Sequence, residues 1–303
     1  MAADDVNLDA TPRGGLTRVP APVLVLLAIL SVQFGGALAA TLVPAIGAAG
    51  SVTLRLLIGT VILVLAARPR LTGHDRRAWA TVVLFGLALG AMNWSFYASL
   101  GRLPIGVAVT IEFIGPLVLT VVLSRRVVDL VAVVFAAAGV VLISQALTVP
   151  FADLDLLGLG LAGVAGACWA AYIVLSKRTG AAFTQLDGLA LAMVVASAVV
   201  TPFGLLSAPQ WSGEILLKGL GIAVLSSVLP YSLELLALRR LSARVFGVLL
   251  SLEPAMAALA GLLVLHQRLS ALQLLGLALV VVASVVVMGT SRAGAAPTDP
   301  GPG

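Results

Sequence analysis

Charged residues are scarce in this chain. Only 10% of its 303 residues are Asp, Glu, Lys or Arg, whereas 60% are hydrophobic and the mean hydropathy is +1.14. Soluble globular domains carry about 25% charged residues, so this composition excludes that class. The sequence therefore predicts an integral membrane protein.

The usual signatures of enzymes are also missing. The two histidines, His74 and His266, fall in predicted loops, and no apolar segment carries a metal-ligand cluster or a serine near a histidine. No glycine-rich phosphate loop with its lysine is present, so the chain alone does not encode an ATP-driven pump. The single cysteine, Cys168, has no partner for a disulfide and is interpreted as a packing residue. We predict no catalytic residue, no metal and no cofactor.

Ten apolar segments are present, and at roughly 18 to 24 residues each is long enough to cross about 30 Å of hydrocarbon as a helix. They show no strand-like alternation, so helices are preferred to a β-barrel. The sequence predicts an all-α membrane protein with ten transmembrane helices, at Val23–Pro44, Ala48–Ala67, Trp79–Leu100, Leu103–Leu123, Val127–Leu147, Leu156–Ser176, Leu186–Leu206, Ile215–Leu238, Val245–Leu265 and Leu272–Gly289.

The basic residues are distributed unevenly across these spans, and this distribution explains the net charge of +5 without nucleic-acid binding. Three lie on the side of the acidic loop with Asp153 and Asp155, namely Arg102, Lys218 and Arg268. Because the basic side is cytoplasmic in most membrane proteins, both termini are predicted to be cytoplasmic. The fourteen residues of the basic side are Arg13, Arg18, Arg68, Arg70, Arg76, Arg77, Arg125, Arg126, Lys177, Arg178, Arg239, Arg240, Arg244 and Arg292.

A weak internal repeat divides the chain. A shift of 138 residues superimposes Arg102 on Arg240 and Pro116 on Pro254. The repeats are then residues 21–149 and 150–290, with five spans each, and the odd number requires the second to enter the membrane in the opposite orientation. Inverted repeats commonly place a substrate site at the bilayer midplane between them. The flanking residues 1–20 and 291–303, rich in Pro, Gly, Ala and Asp, are predicted to be disordered cytoplasmic tails.

Two glutamates lie near the centres of predicted spans, each close to a proline. Glu112 precedes Pro116, and Glu253 is followed by Pro254. A carboxylate at bilayer depth costs several kcal/mol, so both glutamates are candidates for substrate binding or proton coupling. Pro116 also frees the backbone carbonyl of Glu112, which would add an oxygen at the same level. The alternative is a kink for packing, with the glutamate facing a neighbouring helix.

Two further charged residues are candidates. Arg55 is the one basic residue more than one helical turn inside a predicted span, and either an ion pair with a glutamate or substrate binding would satisfy it. Glu234 shares a helical face with Ser227 and Tyr231, although a solvated or ion-paired position beside Arg239 is equally compatible with the sequence. Because one buried cation faces three candidate acids in a medium of low dielectric constant, we expect some of the carboxyl groups to stay protonated near neutral pH. Such groups would permit coupling to a proton gradient.

Uncharged polar side chains complete the predicted substrate pathway. They can hydrogen-bond a small polar solute, although each alone is also typical of hydrogen bonds between membrane helices. The pathway candidates are Gln33, Asn93, Trp94, Tyr97 and Tyr231.

Five stretches carry a family resemblance: MNWSFYASL at 92–100, GVAVTIEFIGPL at 106–117, GACWAAYIVLSKR at 166–178, LPYSLELLALRRL at 229–241 and FGVLLSLEPAMAAL at 246–259. Over residues 20–290 the chain resembles the drug/metabolite transporter superfamily in its ten-helix form with two EamA repeats. Within that superfamily it is most similar to bacterial threonine and homoserine exporters. The resemblance implies export of neutral amino acids across a bacterial inner membrane. His266-Gln267 stands where the family usually has Gly-Glu, which puts a coupling role at that position in doubt.

Together these features predict a secondary exporter of small zwitterions embedded in the lipid bilayer. Arg55 or a helix end would meet the substrate carboxylate, and Glu112 or Glu253 would take the ammonium group or an incoming proton. Competition between proton and substrate would give antiport, and rocking of the two halves would give alternating access. A channel, a non-transporting membrane scaffold and an exporter of another metabolite or drug are the alternatives. A homodimer is compatible with the sequence.

Overall fold

The computed structural model describes residues 19–124, 126–148, 150, 153–256 and 270–293, and this part of the chain is helical with no strand. Most of the predicted tails, Arg125, the second half of the predicted ninth span and the His266-Gln267 pair lie outside the described residues. The α-helices are α1 (Ala21–Ala40), α2 (Val43–Ala67), α3 (Arg76–Leu100), α4 (Ile105–Leu123), α5 (Val127–Ser144), α6 (Leu156–Ala182), α7 (Asp187–Gly204), α8 (Gly213–Ala223), α9 (Leu229–Leu238), α10 (Ala243–Leu250) and α11 (Ala271–Ala293).

Shorter helical segments connect some of these helices. Ala146–Thr148 and Leu205–Gln210 are 3₁₀ turns, and Val224–Val228 is a π-helical turn that joins α8 to α9 in one rod. Residues 252–256, which include Glu253, are also helical.

Length and composition allow seven helices of the described part to cross a membrane, namely Val43–Ala67, Arg76–Leu100, Ile105–Leu123, Val127–Ser144, Leu156–Ala182, Asp187–Gln210 and Gly213–Leu238. Ala21–Gly36 and Ala271–Val287 are shorter apolar helices. Large apolar side chains are exposed on the outer surface, for example Val122 at 72% and Leu217 at 70%. Such a surface is suited to contact with lipid. The described part of the chain is therefore all-helical and has the composition of a multi-pass membrane protein, while the number of ten spans stays a prediction.

Polar residues begin several helices. The carboxylate of Asp75 accepts the backbone N–H of Ala78 at the start of α3, and that of Asp155 accepts the N–H of Gly158 at the start of α6. The Gly158 N–H, with a smaller contribution from Arg102, holds the pKa of Asp155 below its usual value. These side chains satisfy backbone donors that a helix start leaves free.

The helix boundaries differ from the predicted spans at several ends, and the largest difference is in α6, which continues to Ala182, six residues beyond the predicted Ser176. α1 ends at Ala40, and Pro44 belongs to the first turn of α2 rather than to the first span. Proline suits that position because a helix start needs no backbone N–H there. α2 is interrupted at Gly47, whose φ of 71° lies in the left-handed region that glycine tolerates. At the other end of the chain, α11 continues to Ala293, three residues into the predicted tail.

The helices that surround the site belong to both predicted repeats. α3 packs along α6 and α7, α4 packs along α6, and α2 packs along α7. α1 packs along α8 and α9, and α5 packs along α11. Buried side chains of these helices form one large apolar cluster that includes Phe85, Tyr172 and Phe246. The polar residues described below are held within this framework.

Candidate functional site

A cavity of about 490 Å³ lies between α1, α2, α3, α4, α6, the π-helical turn, α9 and residues 252–256. The structure brings most of the predicted site residues to its wall. Those that line the cavity are Gln33, Arg55, Asn93, Tyr97, Glu112, Tyr231, Glu234, Glu253 and Pro254.

The cavity extends to one end of the helices. Its wall includes Ala39 near the end of α1, Leu100 at the end of α3 and Ile105 at the start of α4. In the other direction it stops near the middle of α4, at Phe113, and near the middle of α6, at Tyr172. In the described residues, the cavity wall thus reaches the helix ends beside Arg102, and toward the basic side it includes Glu234, about one turn before the end of α9.

Arg55 is the positive group of the cavity wall. It is only 7% exposed, its Nη2 donates a hydrogen bond to Oδ1 of Asn93, and its Cζ lies 5.5 Å from the centroid of the Tyr97 ring. Asn93 in turn donates from Nδ2 to the Tyr231 hydroxyl at 3.1 Å and to the Leu89 carbonyl at 2.8 Å. Within the described part of the chain, no carboxylate lies within 4.0 Å of the guanidinium. Neutral groups therefore hold this cation in place.

Glu234 is a buried acid of the cavity wall rather than a solvated residue at the membrane interface. It is 7% exposed, and its Oε2 accepts a hydrogen bond from the Tyr172 hydroxyl at 2.7 Å. Arg239, which the sequence offered as a partner, instead donates to the carbonyls of Phe183 and Gln185. Of the two alternatives left open by the sequence, the structure thus favours a place for Glu234 in the cavity.

Glu112 and Glu253 have a different environment. Glu112 is 9% exposed, and neither carboxyl group forms a hydrogen bond within the described residues. Glu253 is close enough to Glu112 and to Glu234 for their charges to interact. The side-chain amide of Gln33 donates to the backbone carbonyl of Glu253 at 3.3 Å and so ties α1 to residues 252–256.

The backbone carbonyl of Glu112, which Pro116 leaves without a hydrogen bond within its own helix, is covered by a neighbouring helix. A Cβ atom on Gly166 of α6 would lie 2.6 Å from the carbonyl oxygen of Glu112, and one on Gly115 would lie 1.9 Å from the Gly166 oxygen. These two glycines let the backbones of α4 and α6 approach closely. The carbonyl of Glu112 therefore packs against α6, and Pro116 itself is not part of the cavity wall.

Trp94 also lies away from the cavity. Its ring packs against Phe203, with centroids 4.9 Å apart, and it is absent from the wall to which Asn93 belongs. Consecutive helical residues point about 100° apart, so neighbours in sequence reach different surroundings.

Among the polar residues that sequence reasoning missed are Tyr172 and Asp129, and Ser226 also lines the cavity. Tyr172 lines the cavity. The sequence could have indicated it, because a phenol inside an apolar span needs a partner for its hydroxyl when buried. Asp129 is fully buried in the first turn of α5, and its Oδ2 lies 2.5 Å from Nη1 of Arg244. The sequence feature that could have indicated Asp129 is an acid at a helix start beside a basic loop. This ion pair joins α5 to α10 on the basic side.

Comparisons with known proteins identify a family model and several relatives. The model of the EamA-like transporter family matches residues 156–289. The threonine/homoserine exporter RhtA of Escherichia coli strain K12 is 40% identical over 277 residues, which cover 90% of this chain and 93% of that protein. RhtA of Salmonella typhimurium strain LT2 gives the same values. Protein PecM of Dickeya dadantii is 28% identical over 224 residues, covering 70% of this chain and 74% of that protein.

A solved crystal structure has the same fold. It superimposes with a TM-score of 0.73 at 20% sequence identity and covers 91% of this chain and 99% of its own chain.

Proposed function

Because this chain belongs to the EamA-like transporter family, we propose that it exports small neutral amino acids of the threonine and homoserine type across a bacterial inner membrane. The family assignment makes the chain a transporter and not an enzyme. The substrate is proposed from the RhtA relatives, which are named for threonine and homoserine.

The observation that carries this proposal is the environment of Arg55. A buried guanidinium without a counterion is unfavourable unless something supplies negative charge. Asn93 and the Tyr97 ring hold Arg55 at the cavity wall, and no carboxylate of the described residues pairs with it. The carboxylate of an amino acid is the group that would complete this site, because guanidinium and carboxylate form paired, charge-assisted hydrogen bonds.

The acids of the cavity suit the other end of the same substrate. A zwitterion carries an ammonium group close to its carboxylate, and Glu112, Glu234 and Glu253 provide three acceptors around one cavity. If a proton and the ammonium group compete for Glu112 or Glu253, then binding of one promotes release of the other. Linkage of this kind produces antiport of protons and amino acid.

Alternating access follows from the two predicted repeats. Exchange of the repeats relates α1 to α6 and α3 to the α8–α9 rod. The observed packing of α3 along α6 has a counterpart in the packing of α8 and α9 along α1, which supports the relation between the halves. The cavity extends toward the Arg102 side, so rocking of one half against the other would expose it to the basic side in turn.

Efflux from reconstituted vesicles tests the proposal. Vesicles loaded with labelled threonine should release it faster when the outside is made acidic, and unlabelled threonine or homoserine should drive counterflow. Glu112→Gln combined with Glu253→Gln should abolish the response to the pH gradient. Equal rates with and without the gradient would exclude proton antiport. Competition by an unrelated metabolite or drug, but by no neutral amino acid, would exclude the proposed substrate.

A further inference from the structure

Tyr172 differs from the other aromatic residues of the cavity wall because its hydroxyl donates a hydrogen bond to an acid. The side chain is 1% exposed, and the hydroxyl donates to Oε2 of Glu234 at 2.7 Å. Its ring contacts Phe85, with centroids 5.4 Å apart, and Tyr231, with centroids 5.9 Å apart. A fully buried phenol in contact with two aromatic rings has little freedom to turn, so the hydrogen bond to Glu234 is preorganised.

This contact distinguishes Glu234 from the other acids of the cavity. The carboxyl groups of Glu112 and Glu253 receive no hydrogen bond from the described residues, whereas one oxygen of Glu234 is held by Tyr172. Fixing Oε2 defines the orientation of the carboxylate and so the position of its second oxygen. Glu234 is therefore the acid whose geometry is set before a substrate arrives.

Tyr231 contacts both the residue that holds Glu234 and the residue that holds Arg55. Tyr231 lies three residues before Glu234 in α9, and its hydroxyl contacts Asn93, which holds Arg55. Its ring also contacts that of Tyr172. Two aromatic side chains thus position Arg55 and Glu234 relative to each other on the wall of the same cavity. A preorganised cation and anion match the two charges of an α-amino acid.

We propose that Tyr172 is a positioning residue that holds Glu234 as the acceptor for the substrate ammonium group, while Arg55 binds the carboxylate. This inference rests on the proposed function and deepens it, because it defines the substrate class as α-amino acids read at both charged groups. Glu112 and Glu253 are then left for the proton. The proton competes with the ammonium group through the charge interaction between Glu253 and Glu234, rather than for one shared carboxyl group. A 2-hydroxy acid lacks the ammonium group, so the same site discriminates against it.

A double-mutant cycle measured by counterflow tests the role of Tyr172. Tyr172→Phe removes only the hydroxyl, and it should raise the KM for threonine about tenfold, the size expected for one hydrogen bond to a charged group. The maximal rate should change less than the KM. In a Glu234→Gln background the same substitution should add little, because the charged acceptor is gone. Tyr231→Phe is the matched control. It removes a phenol hydroxyl from the Arg55 side, and its effect should persist when Glu234→Gln is present.

Two results would overturn the inference. One is an equal effect of Tyr172→Phe with and without Glu234→Gln. The other needs no variant: the 2-hydroxy analogue of threonine should compete at least about tenfold less well than threonine for the unmodified protein, and equal competition would exclude recognition of the ammonium group. Absence of counterflow with every amino acid would instead refute the proposed function itself.

Discussion

A substitution that places a carboxylate beside Arg55 tests the role of Arg55 in substrate binding without removing its support in the fold. Asn93→Asp keeps the size of the side chain but replaces the amide oxygen that accepts from Arg55 with a charged one. The guanidinium then has a permanent ion-pair partner. We expect the fold to persist and the affinity for an amino-acid carboxylate to fall, because the new carboxylate competes for Arg55 and repels the substrate.

The expected magnitude follows from the contacts of Asn93. A hydrogen bond to a charged group contributes about 1.5–3 kcal/mol, against about 1 kcal/mol for a neutral pair. A substrate that loses one charge-assisted contact with Arg55 should therefore show a KM raised about tenfold to hundredfold. Asn93→Ala is the matched control, since both variants lose the bonds that Nδ2 donates to Leu89 and Tyr231. Only the aspartate adds charge, so the alanine variant should raise the KM by less than about tenfold.

The assay is counterflow of labelled threonine in vesicles containing equal amounts of folded protein, together with thermal unfolding in detergent. Asn93→Asp should be at least as stable as Asn93→Ala because of the new ion pair with Arg55. A KM for Asn93→Asp within twofold of the unmodified value would refute a role for Arg55 in binding the substrate carboxylate. A larger loss in Asn93→Ala than in Asn93→Asp would also refute it.

Two further predictions concern packing. Gly166→Ala should destabilise the protein by about 1–3 kcal/mol and impair transport, because its Cβ would lie 2.6 Å from the backbone oxygen of Glu112; Gly163→Ala in the same helix meets no atom within 4 Å and should leave both properties intact. Asp129→Asn should lower the unfolding temperature, because it removes the buried negative charge that pairs with Arg244, and a matching Arg244→Gln should restore part of the loss. An unchanged unfolding temperature for either Gly166→Ala or Asp129→Asn would contradict this packing.

Several features of the site were accessible from the sequence because the membrane penalises charge strongly. A carboxylate or guanidinium in an apolar span stands out against its neighbours whatever the tertiary fold is. Arg55, Glu112, Glu234 and Glu253 were identified in this way, and all four line one cavity. The interruption of α2 was less accessible, because Gly47 is one of 31 glycines in the chain.

Other features depended on the direction in which a side chain points. Asn93 and Trp94 are adjacent in sequence, yet Asn93 reaches Arg55 while Trp94 packs against Phe203. The carbonyl of Glu112 was expected to be available, but the close approach of α6 at Gly166 covers it. A helix that is apolar on all sides gives little indication of which face meets a neighbour.

The amino-acid sequence by itself determined that this protein lies in a membrane, approximately where most of its apolar helices lie along the chain, and which rare ionisable groups those helices carry. These are local properties, set by the free energy of placing each segment in hydrocarbon. Only the tertiary structure decided that Asn93 and Tyr231 support Arg55, that Tyr172 holds Glu234, and that Glu112 and Glu253 have no donor within the described residues. Those partners come from different helices, and their meeting depends on how the helices pack rather than on any one span.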